Sequence, residues 1–235
     1  MASPPAVIFV HGIGLAGEVW SPQLEWCLSN SIDAVAITLP GHGSQRSEVA
    51  DVECMIRSIT IESRKYAEVI LVGHSLGGWL CCKAAIGIPN LKSVILVNPL
   101  IELSQHRRLF ILAVKAARLI QRFTGPSKRS GDFREGSSFF WRAGIYPYCL
   151  VVNDMEKILS ICKQIEDRGD AVPPDRVMTT IVLPRWDEML SSRVSDGKED
   201  LERVDDIGHI VFRSRPESLT SVLARHIFGQ QGRRR

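Results

Sequence analysis

The 235-residue chain lacks several features that would assign it at once to a class. No apolar stretch is longer than the six residues of Leu109–Val114, far short of the ~20 that a helix needs to cross a bilayer. The opening residues, Met1 to Val10, carry no positive charge ahead of their short apolar run. A secretory signal is therefore not expected, and the cytoplasm is the expected location. Six cysteines are present without a C-x-x-C pair or a histidine at zinc-ligand spacing, which predicts free thiols and no metal. A net charge of +3 is too small to indicate nucleic acid. With 45% hydrophobic and 23% charged residues, the composition excludes disordered and collagen-like chains and allows a sizeable core.

What is present is a rhythm. Apolar, β-branched runs fall at Ala6–Val10, Ala34–Thr38, Val69–Val72, Ser93–Val97, Thr179–Leu183 and, more weakly, Leu201–Val204. Their hydrophobicity is continuous rather than alternating, the pattern of strands covered on both faces. Segments of helical length lie between them, including Asp51–Ala67, Leu76–Ile86 and Glu217–Ile227. The alternation predicts an α/β fold with a mostly parallel sheet of about six strands flanked by helices. The interval 101–177 is far too long for an ordinary connection and predicts a helical cap inserted into a core made of 1–100 and 178–235.

Chemistry concentrates at Gly73-His-Ser75-Leu-Gly77, set between an apolar run and a helical segment. A sharp strand-to-helix turn lifts a serine hydroxyl clear of the sheet, and glycines two places on either side remove side chains that would collide. Ser75 is thus the candidate nucleophile. The pair His11-Gly12 follows the first strand directly. Acyl transfer needs two N–H groups aimed at the developing oxyanion, and Ile13 and Leu76 are the candidate donors.

Serine also needs a base and an orienting acid, in the order serine, acid, histidine. His209 occupies the loop before the terminal helix, whereas the other histidines precede Ser75, adjoin the turns, or lie in the cap or inside a helix. Asp187 emerges at the end of the fifth strand, with Glu188 adjacent as the alternative.

These motifs resemble those of the α/β-hydrolases over about Ala6 to Phe228. Within that superfamily, His11-Gly-Ile-Gly-Leu-Ala-Gly-Glu-Val-Trp20, Leu39-Pro-Gly-His-Gly-Ser44, Gly73–Gly78 and His209–Pro216 are similar to the carboxylesterases that hydrolyse pimeloyl-[acyl-carrier-protein] methyl ester in biotin synthesis. The resemblance implies a serine hydrolase of carboxylic esters or thioesters that needs no cofactor. A lipid or monoacylglycerol-type esterase, a C–C hydrolase and a hydrolase-fold receptor with slow turnover share the same machinery. The menaquinone-pathway lyases also share Leu-Pro-Gly-His-Gly, but they place an arginine where this chain has Trp79, and an indole cannot replace a guanidinium fork.

Between Glu102 and Arg142 nine Lys or Arg face three acids. Arg107, Arg108, Lys115, Arg118 and Arg122 make a basic surface to which the resemblance assigns an acidic acyl carrier protein; anionic membrane and plain solvent are the other possible neighbours. Leu15, Trp79 and Phe140 are the candidate walls of the acyl pocket, the first two because they adjoin the oxyanion loop and the elbow.

Overall fold

The computed structural model describes residues 3–100, 155–172, 174–186, 200–207 and 216–229. Asp187, Glu188, His209, Phe140 and the five basic cap residues lie outside these segments. The described chain runs β1 (Ala6–Val10), α1 (Ser21–Ser29), β2 (Ala34–Ile37), α2 (Val52–Ser63), β3 (Val69–His74), α3 (Leu76–Ala85) and β4 (Leu91–Val97). It continues with α4 (Met155–Arg168), β5 (Met178–Trp186), β6 (Asp200–Ile207) and α5 (Pro216–Phe228). The strands form one six-stranded sheet in the order β2-β1-β3-β4-β5-β6. Every pairing is parallel.

Continuous apolar runs make sense because both faces of the sheet are covered. Ile8, Val10, Val69 and Leu71 pack with residues of α2, α3 and α4, such as Met55, Leu80 and Ile161. Their neighbours Val7, Phe9, Ile70 and Val72 turn to the opposite face, against Cys27 of α1 and Val222 and Leu223 of α5. Successive side chains alternate across a strand, so a run with no polar residue is needed to satisfy two layers. A buried polar side chain ties the layers together: His226 of α5 shares hydrogen bonds with the hydroxyls of Ser93 (2.8 Å) and Thr180 (2.9 Å), fixing the helix to β4 and β5.

The helix α4 belongs to the interval read as a cap, and it packs back onto the core. Its Gln164 accepts from the Val52 N–H at 2.9 Å and donates to the Ala50 carbonyl at 3.0 Å, while Lys157 donates to the carbonyls of Arg46 and Glu48. Ile161 and Ile165 are buried beside α2 and α3.

The largest departures from the expected boundaries are at the ends of β5, β6 and α2. The strands β5 and β6 run on to Trp186 and Ile207, beyond Leu183 and Val204. Pro184 offers no N–H, and the pairing register shifts beside it, as expected where proline enters a strand. The helix α2 ends at Ser63 rather than Ala67. Asn90, from the loop before β4, donates to the carbonyls of Ser63 (2.9 Å) and Tyr66 (2.8 Å), a long-range cap.

Parallel topology brings the carboxyl ends of the strands to one edge. His74 pairs with Val97, and Val97 with Val182, so β3, β4 and β5 are level there. From that level β5 continues four residues to Trp186, roughly 13 Å at the usual strand rise.

Candidate active site

Ser75 stands where β3 gives way to α3, with φ 51° and ψ −115°. A left-handed, non-glycine backbone of this kind costs of order 1–3 kcal/mol and persists only where its surroundings enforce it. The enforcement is visible. The Ser75 N–H donates to the Val97 carbonyl at 3.1 Å, and the Ser75 carbonyl accepts from Gly78, Trp79 and Leu100. The flanking glycines are required by contact: a β-carbon on Gly77 would collide with the Val10 carbonyl, and one on Gly73 with the Gly77 backbone. Leu76 opens α3, so its N–H belongs to the first turn, where no intrahelical acceptor exists.

The loop after β1 meets this elbow directly. A β-carbon on Gly12 would lie 2.7 Å from His74 Nδ1 and 3.1 Å from the Ser75 β-carbon. His11 sets the loop. Its Nε2 accepts from the Leu39 N–H at 3.0 Å, which leaves the ring proton on Nδ1, and that donates to the Gly12 carbonyl at 2.8 Å. The same carbonyl accepts from the Leu15 N–H at 3.2 Å. In a trans peptide the C=O and N–H point opposite ways, so anchoring the Gly12 oxygen fixes the direction of the Ile13 N–H.

Charge at this end of the sheet is suppressed. Burial pushes the His11 pKa down to about 3, helped by nearby His42 and opposed by the Gly12 carbonyl bond. His42 is lowered to about 4, chiefly by burial. The two rings meet edge to face at 5.2 Å. Both are neutral at pH 7, and neither ring of His11 or His226 has a nitrogen left for a reacting proton.

Of the residues expected at the site, Ser75, Ile13 and Leu76 come together at the ends of β1 and β3. Leu15 is buried under the opposite face of the sheet, among Val7, Phe9 and Trp20. Trp79 is buried on α3, with its Nε1 donating to the Gly169 carbonyl at 3.0 Å and the Lys83 ammonium 5.2 Å from its ring. Asp187 and His209 lie outside the described residues; the strands that lead to them end at Trp186 and Ile207. Two contributors were not anticipated as such. In the sequence His11 is only a neighbour of the turn, and the turn after β4, whose Val97 and Leu100 bond Ser75, is signalled only by the Asn98-Pro99 dipeptide.

Residues 7–221 match the alpha/beta hydrolase family, and the chain belongs to it. It is 25% identical to protein phosphatase methylesterase 1 of Schizosaccharomyces pombe, an alignment that covers 92% of this chain and 72% of that protein. It is also 25% identical to (E)-2-((N-methylformamido)methylene)succinate hydrolase of Acinetobacter baylyi, over 52% of this chain and 51% of the relative. The chain therefore aligns with only about half the length of that second relative. Among solved structures, bromoperoxidase from Bacillus anthracis has the same fold, with a TM-score of 0.70 at 15% identity over 96% of this chain and 92% of that one.

Proposed function

We propose that the protein is a serine carboxylesterase that acts through an acyl-enzyme, on an ester whose acyl group is carried by a larger, acidic partner. The observation that supports this most is the strained Ser75 backbone, held between β3 and α3 against the Gly12 loop. Strain of this kind is worth maintaining where it presents a nucleophile.

In the proposed cycle, Ser75 Oγ attacks the ester carbonyl while His209 takes the hydroxyl proton, and Asp187, or Glu188 beside it, holds the imidazole in the productive tautomer. The N–H groups of Ile13 and Leu76 stabilise the oxyanion. His209 then returns the proton to the leaving alkoxide. Water, activated by the same imidazole, attacks the acyl-enzyme and frees Ser75. The commitment of both nitrogens in His11 and in His226 to structural hydrogen bonds supports the assignment of the base to His209.

Methyl esters are the favoured substrate class. The loop motifs resemble pimeloyl-[acyl-carrier-protein] methyl ester carboxylesterases, and the relative matched over most of this chain is by its name a methylesterase. Both point to methanol as the leaving group and to a macromolecule on the acid side. The basic series Arg107, Arg108, Lys115, Arg118 and Arg122 supplies positive charge suited to an acidic carrier. Leu15, Trp79 and Phe140 are proposed to border the acyl chain.

The test is a panel of acyl methyl esters, free and linked to acyl carrier protein, assayed at two salt concentrations. Carrier-linked methyl ester should be preferred, and its kcat/KM should fall as salt rises. Equal, salt-insensitive turnover of free and carrier-linked esters would contradict the carrier. Preference for micellar over soluble ester would favour a lipid esterase.

A further inference from the structure

From the turn at Asn98, we infer that this residue is a positioning residue, whose left-handed backbone locks the nucleophile elbow to the strand that leads to the acid. The inference rests on Ser75 as nucleophile and Asp187 as acid, and it concerns what holds them in register.

The geometry is compact. Asn98 follows β4, is fully buried and has φ 45°. Its N–H donates to the Val182 carbonyl of β5 at 3.0 Å, and two residues later the Leu100 N–H donates to the Ser75 carbonyl at 3.1 Å. Pro99, between them, packs on the first turn of α3: a β-carbon on Gly78 would stand 2.9 Å from the Pro99 β-carbon. One residue earlier, the Val97 carbonyl accepts the Ser75 N–H at 3.1 Å. Both main-chain polar groups of the strained serine are therefore held by one four-residue turn, Val97 to Leu100, and the same turn is tied to β5 five residues before Asp187.

A turn that reverses in so few residues needs a left-handed position, and Asn is among the few residues with a β-carbon that adopt one readily. With an extended backbone at position 98, the Leu100 N–H could not turn back to Ser75. The elbow would then lose an acceptor bond on the side facing β5, and Ser75 would be free to shift relative to the acid loop. Such a shift affects the chemical step and not the capture of substrate.

The test compares Asn98→Gly, which keeps the left-handed backbone, with Asn98→Ala, which penalises it, and with Leu100→Pro, which deletes the donor to Ser75. Folding is checked by circular dichroism and thermal unfolding. Reaction of the full-length protein with a fluorophosphonate probe and turnover of a p-nitrophenyl ester are then measured. For Asn98→Ala and Leu100→Pro, the expected result is a labelling rate and kcat lower by about tenfold, with KM within about twofold of the parent. Asn98→Gly should label and turn over within about threefold of the parent. Parent-like rates in folded Asn98→Ala and Leu100→Pro would overturn the inference, because the turn would then be structural only. A loss in Asn98→Gly as deep as in Asn98→Ala would also overturn it, by assigning the effect to the side chain. If Asn98→Ala does not fold, Leu100→Pro and Asn98→Gly decide between the same outcomes. Failure of the parent to label at all would instead count against Ser75 as nucleophile.

Discussion

Gly12 and Ser75 are in direct apposition: a β-carbon on Gly12 would stand 3.1 Å from the β-carbon of Ser75. The end of β1 therefore meets the elbow after β3 closely, with the His74 ring and the Ser75 side chain both against Gly12. Gly77 has a different neighbour, since its β-carbon would strike the Val10 carbonyl, which is backbone and cannot swing away. The two glycines should fail differently when changed to alanine. Gly77→Ala should destabilise the fold by about 3 kcal/mol, read as a lower urea midpoint. Gly12→Ala, whose contacts are the His74 ring and the Ser75 side chain, should unfold closer to the parent midpoint yet lose about tenfold or more in kcat.

Acid sensitivity follows from three buried histidines. His11 is held at about 3, and His42 and His226 at about 4, in each case mainly by burial. Each is depressed from an ordinary value of 6.5. The unfolded chain thus binds protons that the folded one refuses. The stability linked to these rings is fully present above pH 6.5 and is lost as pH falls below it toward 4, with the three rings taking up about three protons on unfolding near pH 5. Urea midpoints measured from pH 8 to 5 should fall in that window. His226→Gln, which can still hydrogen-bond Ser93 or Thr180, should flatten the slope by roughly one proton.

Trp79 separates packing from substrate contact. Trp79→Phe keeps a ring between α3 and the end of α4 but removes the N–H that satisfies the Gly169 carbonyl. A loss of about 1 kcal/mol in unfolding free energy is expected from that bond. If the indole also borders the acyl chain, KM across a series of acyl lengths should change its optimum; an unchanged series would confine Trp79 to packing.

Much of this was legible in the residues, for identifiable reasons. The strands of a doubly covered parallel sheet need unbroken apolar runs, and Ala6–Val10 and Val69–Val72 are such runs in both sequence and structure. The elbow was legible because its glycines are demanded by close backbone contact. Less legible were features that depend on distant partners. The last residues of β5 and β6 are held by each other, and neither Pro184-Arg-Trp nor Asp205-Asp-Ile has a strand's apolar pattern. The end of α2 is set by Asn90, 27 residues from Ser63. The helix α1 carries little sequence signal, because Ser21–Ser29 mixes polar and apolar residues without a clear stripe. His11 is a mere neighbour of the turn in sequence, and what it holds depends on the hydrogen bond from Leu39, 28 residues away.

The nucleophile itself can be tested in one experiment: incubation with a fluorophosphonate probe, followed by intact mass and peptide mapping. A single adduct is expected on the peptide containing Ser75, absent from a folded Ser75→Ala variant that unfolds at the parent's temperature. An adduct that persists in Ser75→Ala, or a folded parent that takes up no probe, would contradict Ser75 as the nucleophile.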